Sequence, residues 1–320
     1  GGPRMATSIP KGALHAAAAS GDMAVFQQFL PLKSPDVNRR DDKGRTPLHM
    51  AAEAGHDSVL RLLLDWKASI NAATTDRRTP LYLAVQNGHQ EVVKNLLARG
   101  ANANFKDEKG NSPLHYTALN GSVDLCQCLL EAKGSVNAAN VQKETPLSMA
   151  ALQADVNVVG LLLKYKASVS QRGPLERTPL HLAATRGGEP ACAALLSAGA
   201  SHTARDTNKD TPLHLAVNAG DPAVVRLLLR NGADVKFKNI EQQTPLDQLR
   251  RQKENQHHAE QEAWRDRSPE DSRMPTLTKA MFWPGREGKR AACQADPGER
   301  EEIESLLTSS HPAYLMVPSL

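Results

Sequence analysis

The sequence predicts an all-α repeat array, one small helical unit copied along the chain, and three observations predict it. Thr/Ser-Pro-Leu tripeptides begin at Thr46, Thr79, Ser112, Thr145, Thr178, Thr211 and Thr244, each step being 33 residues. Two short stretches with apolar residues at helical spacing follow each tripeptide. Hydrophobic residues make up 40% of the chain and aromatic residues only 4%. Leu, Ala and Val must therefore supply the packing, which suits thin, closely stacked helices. A strict period marks a stack of supersecondary units, each packing only on its neighbours. The 320 residues need not divide into two globules.

The stretch from Asn104 to Asn137 shows one unit in full. Asp107-Glu108-Lys109-Gly110-Asn111 is turn chemistry. Ser112 reads as a helix N-cap, its hydroxyl placed to accept a free backbone N–H. Pro113 falls at the first helical position, where its missing N–H costs nothing. Leu114, Thr117 and Ala118 continue at helical spacing, and Gly121 ends this first helix. A second helix is predicted from about Val123 to Glu131, with Leu125, Cys126, Leu129 and Leu130 as its apolar stripe, and Gly134 breaks it.

Thr-Pro-Leu-His-x-Ala-Ala, Gly-His, Val-Val-x-x-Leu-Leu, Gly-Ala and Val-Asn at this period resemble the ankyrin repeat. The resemblance covers about residues 11–249, with seven tripeptides in one register. It implies an ankyrin-repeat solenoid of stacked antiparallel helix pairs with β-hairpin finger loops. It also implies that the histidines sharing one repeat position, His15, His49, His115, His181 and His214, bond the backbone of neighbouring fingers. Five copies argue against a catalytic histidine, since an enzyme needs one.

The ends and two inner repeats depart from the pattern. Gly12-Ala13-Leu14-His15-Ala16-Ala17 lacks Thr-Pro, as a capping repeat with a polar outer face would. In repeat five, Ser148 stands in the histidine position, Ala154 replaces the inter-helix glycine and Lys143 the finger glycine, which predicts a locally weaker unit. Repeat six carries the stiffer, more apolar tip Gly173-Pro174-Leu175. Residues 1–10 are expected to be disordered. The eighth unit begins normally at Thr244, but its Leu-Leu pair, due at 261 and 262, falls at Leu306 and Leu307. We therefore expect a polar, mostly disordered insertion over 250–297, a helix over 298–309 completing the last repeat, and a tail over 310–320. The run from Gln252 to Trp264 has helix-forming composition and is suited to extending the repeat's first helix.

Composition excludes several function classes. A net charge of +4, from 39 basic and 35 acidic residues, is too mild to argue for nucleic acid, and finger arginines are interleaved with Asp42, Asp76 and Asp210. Cys126, Cys128, Cys192 and Cys293 form no C-x-x-C pair, so buried reduced thiols are expected rather than a disulfide framework or zinc site. No apolar run reaches the ~18 residues of a membrane span, and no signal peptide is read at the start. Gly285-Arg286-Glu287-Gly288-Lys289-Arg290 lacks the spacing and hydroxyl of a phosphate loop. No catalytic residue, metal ligand or cofactor is expected. The reading is a non-catalytic scaffold or adaptor, monomeric, intracellular and cytoplasmic or nuclear. The alternative is a regulatory or targeting segment of a larger enzyme, channel or ubiquitin-ligase assembly.

The resemblance implies that a protein partner meets the finger tips and the exposed side of the first helices. Those positions hold Arg40, Lys43, Arg45 and Arg78 in the early repeats. Leu119, Val141, Leu152 and Leu175 follow in repeats four to six, and Arg172, Arg177, Arg186 and Arg205 further on. Leu119 and Leu152 stand out: both lie seven residues after the Ser/Thr, in adjacent repeats, where polar residues are usual. With Val141 and Leu175 they predict an apolar strip rimmed by arginines, the signature of a protein-binding patch.

Overall fold

A computed structural model describes residues 12–29, 36–265 and 296–309. The expectations for residues 1–10 and 310–320, Cys293 and the Gly285–Arg290 loop lie outside the described residues. Among the described residues eight helix pairs follow one another: α1 (Ala13–Ser20) and α2 (Met23–Phe29), α3 (Pro47–Ala54) and α4 (Asp57–Asp65), α5 (Pro80–Gln86) and α6 (Gln90–Ala98), α7 (Pro113–Asn120) and α8 (Val123–Glu131). Then come α9 (Pro146–Gln153) and α10 (Val156–Lys164), α11 (Pro179–Arg186) and α12 (Glu189–Ser197), α13 (Pro212–Ala219) and α14 (Pro222–Arg230), α15 (Pro245–Arg265) and α16 (Pro297–Thr308). First helices stack on first helices and second on second along the chain. The fold is the all-α solenoid that the period predicts.

From α3 to α13 each first helix starts with proline at N1, its φ already helical, after a Thr or Ser cap in extended backbone; α1 starts at Ala13 after Gly12 instead. At His49, for example, the backbone N–H of Thr46 donates to Nδ1 at 3.0 Å. The far nitrogen, Nε2, faces a carbonyl oxygen of the next finger, Arg78 O at 3.1 Å, and so must donate. His15, His115, His181 and His214 make the same bond to Arg45, Glu144, Asp210 and Gln243 at 3.0–3.2 Å. One neutral tautomer thus caps its own helix and ties it to the next unit. Burial pushes His49, His115 and His181 down to about 4.

The fingers are tight hairpin turns, each closed by one backbone bond of the kind Asp41 N–H to Arg45 O (2.9 Å). Among the described residues these turns are too short to form strands. The turn residue in left-handed backbone is Gly44 or Gly110 in two fingers, but Arg77, Lys143, Glu176, Lys209 and Gln242 in others. At Gly110 the glycine is needed: a Cβ there would lie 2.9 Å from the Val141 nitrogen. One continuous core runs the length of the stack, from Leu14 through Leu48, Leu81, Leu114, Leu147, Leu180 and Leu213 to Leu249, Ile303 and Leu307. Cys126 and Cys192 are buried in it, their thiols pushed up by burial to about 11 and about 12, and Cys128 is half-buried.

The C-terminal end corrects one expected boundary. The polar insertion does not begin at 250 with disordered chain: α15 continues as helix to Arg265. The run Gln252–Trp264 contains no Gly or Pro and is rich in helix formers. After 266–295, α16 packs against α14 and α15. Ile303 and Leu307 are buried in the common core and Leu306 is half-buried against it. Ion pairs join Glu302 to Arg226 of α14, and Glu304 to Lys253 and Arg250 of α15.

Candidate protein-interaction surface

The first helices have a buried face and a face toward the fingers. On α7, Leu114, His115, Thr117 and Ala118 are buried, while Tyr116 is half-buried and Leu119 is 42% exposed. On α9, Met149 and Leu152 repeat this, with Leu152 at 40%. Residues three apart share a helix face, so Tyr116 pairs with Leu119 and Met149 with Leu152. Because α7 and α9 are stacked neighbours in one register, the two pairs lie side by side. The finger tips add Val141, 75% exposed, and Leu175, 55% exposed. Leu175 is held at φ 56° in the turn Pro174–Glu176, a left-handed backbone that costs a leucine about 1–2 kcal/mol.

Among the described residues, the large apolar side chains that are exposed are Leu119, Val141, Leu152, Val156, Leu175 and Ile240. All but Ile240 belong to repeats four to six. Val156, at the start of α10, and Ile240, at the last finger tip, escaped the sequence reading. Ile240 lies three periods after Val141, so the same offset could have found it.

Tyr116 has a specific setting. Its hydroxyl donates to Asp107 Oδ2 at 2.6 Å and accepts from Asn111 Nδ2 at 3.2 Å. Its ring meets Tyr82 edge-on at 4.7 Å, and the Arg78 guanidinium lies 5.3 Å from the Tyr82 centroid. Burial, together with the Asp107 carboxylate, pushes the Tyr116 phenol above its ordinary value.

The expected arginine rim is engaged within the stack. Arg40 donates across to Ala73 O and Arg172 to Arg205 O, both at 2.8 Å. Arg45 pairs with Asp41 at 2.8 Å, and Arg177 with the buried Asp206 carboxylate at 3.0 Å. Arg205 stacks on Phe237 at 4.7 Å. Only Lys43 and Arg186 of the proposed cations are exposed with no side-chain hydrogen bond, ion pair or ring contact among the described residues. This engagement has a simple cause. Arg40, Lys106 and Arg172 share one finger offset, and each reaches the carbonyl exactly one period on. The finger asparagines do likewise, Asn38, Asn71, Asn104 and Asn137 each accepting a backbone N–H 31 residues later. No helix among the described residues is long and apolar enough to cross a membrane.

Comparison with known proteins agrees with this geometry. The family model for ankyrin repeats (3 copies) matches residues 14–107, 94–173 and 169–239. Human ankyrin repeat domain-containing protein 7 is 44% identical over 52 residues, which is 16% of this chain and 20% of that protein. Alpha-latrotoxin-Lt1a of Latrodectus tredecimguttatus is 43% identical over 61 residues, 19% of this chain and 4% of the toxin. Human ankyrin repeat and SAM domain-containing protein 3 is 35% identical over 63 residues, 20% of this chain and 10% of that protein. The matches thus span a fifth or less of each relative. With the repeat model covering most of the array, the chain belongs to the ankyrin-repeat family.

Proposed function

We propose that the chain is a non-catalytic scaffold or adaptor that binds a protein partner on the side formed by its fingers and first helices. Repeats of this family are generally protein–protein interaction modules. One observation carries the more specific reading. Leu119 and Leu152 hold equivalent positions on stacked neighbouring helices, and both are exposed; Tyr116 and Met149 are half-buried, and the other residues of each helix are buried or polar. Tyr116 and Met149 beside them extend the patch, and the tips Val141 and Leu175 add exposed apolar surface in the same repeats. An apolar centre bordered by polar groups is the arrangement in which a few side chains dominate binding. Since most finger arginines already hold neighbouring fingers, the energy of binding falls on the apolar centre, with Lys43 and Arg186 as the cations free to meet acidic groups.

The test is a capture experiment with the full chain and its Leu119→Ala/Leu152→Ala variant, followed by affinity measurement for each captured protein. Loss of about tenfold or more in affinity on the double substitution is expected. Unchanged affinity would place the contact elsewhere on the array.

A further inference from the structure

We propose that the array carries a built-in seam between repeats five and six, at which it parts into two cooperative blocks, repeats one to five and repeats six to eight. The inference concerns the free chain and holds whatever partner binds.

Besides the finger asparagines, four recurrent contacts join successive repeats. The histidine of the first helix reaches the next finger. A finger-tip N–H donates to the preceding tip: Thr75 to Lys43 O, Val141 to Lys109 O, Thr207 to Leu175 O and Ile240 to Asn208 O, at 2.8–3.1 Å. A basic finger side chain, Arg40, Lys106 or Arg172, reaches the following finger. Between the two helices, His56 and His89 donate back to Ala19 O and Glu53 O, and Asp155 and Asp221 lie against Gly121 and Gly187 of the preceding repeat.

Between repeats five and six each link is missing for a chemical reason. Ser148 stands in the histidine position, and its short hydroxyl turns back to Thr145 of its own helix at 2.8 Å. Pro174 occupies the tip position and has no N–H to give. Ala139 replaces the basic finger residue, and Gly188 replaces the inter-helix His or Asp. Among the described residues, Asn137 alone makes polar contacts across, accepting the Ser168 N–H at 2.8 Å and facing Lys166 O at 3.5 Å. Repeats three and four also lack these links, but there the Tyr82–Tyr116 ring contact and the approach of Arg77 to Phe105 at 5.8 Å span the gap. No ring contact joins five to six. The helices of repeats five and six do pack closely, but through smaller side chains: α12 buries Ala191 and Cys192 where α10 buries Val158 and Val159 and α14 buries Val224 and Val225. Nearest-neighbour coupling sets how a repeat array divides on unfolding, so the interface that lacks both these links and a ring contact is where it divides.

Native-state hydrogen exchange of the full chain, followed by mass spectrometry over a denaturant series, tests the seam. The expected result is a step: α3 to α10 exchange through one opening and α11 to α14 through another. Ser148→His and Pro174→Thr, each restoring one link, should lower the population of the parted state about fivefold apiece, the worth of one net hydrogen bond. A single opening shared by α3 to α14 would overturn the proposal. So would a smooth decline from the ends, a step at another interface, or a step left unchanged by both variants. The wild-type pattern and Pro174→Thr decide the matter even if Ser148→His does not fold.

Discussion

His49 donates from Nε2 to the backbone carbonyl of Arg78 at 3.1 Å while its Nδ1 accepts the N–H of Thr46. Protonation would place a hydrogen on Nδ1, against a donor it now accepts from. Burial accordingly pushes His49, His115 and His181 down to about 4 from 6.5, and His214 in the same direction. The unfolded chain then binds more protons than the folded one wherever pH lies between these values. The stability from the neutral imidazoles is full above about pH 6.5, is lost as pH falls, and stops falling below about 4. Each histidine adds at most about 1.4 kcal/mol per pH unit to that slope. Urea midpoints at pH 7, 5.5 and 4.5 should fall steadily. His181→Gln should flatten the curve while costing about 1 kcal/mol at pH 7. A midpoint constant over this range would mean the imidazoles titrate as in an unfolded peptide.

Ala154 ends α9 at φ 57°, in the left-handed conformation that Gly55, Gly121, Gly187 and Gly220 adopt at the same repeat position. Ala154→Gly should therefore stabilise the chain by about 1 kcal/mol. Its side chain also governs a neighbour: a Cβ on Gly188 would come 2.5 Å from the Ala154 Cβ. Gly188→Ala alone should cost about 1–3 kcal/mol by overpacking, and clearly less in the Ala154→Gly background. A double-mutant cycle by chemical denaturation measures this coupling. Additive effects would show that the two positions do not touch.

The period made the stack, the histidine ring and the exposure of Leu119 and Leu152 legible before any coordinates, because each depends only on offset within a repeat. The use of Arg40 and Arg172 was not legible by the same route. Offset places a guanidinium on a finger, but its partner is a carbonyl 33 residues away, and a carbonyl carries no side-chain signature. A trace existed: basic residues at 40, 106 and 172 alternate with Ala73 and Ala139, as if every second finger were clamped. The far end of α15 was half legible. Its composition favoured helix, yet its polarity suggested disorder, and local propensity won.

Leu228 and Leu152 separate folding from binding within one array. Leu228 is fully buried on α14, whereas Leu152 is 40% exposed on α9. Leu228→Ala should cost about 2–5 kcal/mol through lost transfer energy and a residual cavity. Leu119→Ala and Leu152→Ala should each stay within about 0.5 kcal/mol of wild type. Guanidinium unfolding monitored by circular dichroism compares them. A cost at Leu152 near that of Leu228 would make it a packing residue and remove it from the binding patch.

Ile303 gives the last prediction. Its side chain is fully buried against a core that includes Leu228 and Leu249, although 37 residues separate it from the end of α15 at Arg265. We read α16 as the second helix of the repeat that α15 begins, displaced in sequence by the insertion. On that reading the length of chain between α15 and α16 should matter little: each doubling of a loop costs only about 0.6 kcal/mol. Replacing residues 266–295 with a Gly/Ser segment half as long should leave the unfolding midpoint within that margin. Ile303→Ala and Leu307→Ala should instead speed hydrogen exchange in α14, because both side chains belong to the core that α16 shares with α14. If the shortened chain loses protection in α14 while Ile303→Ala keeps it, the core contacts of α16 are not what protects α14.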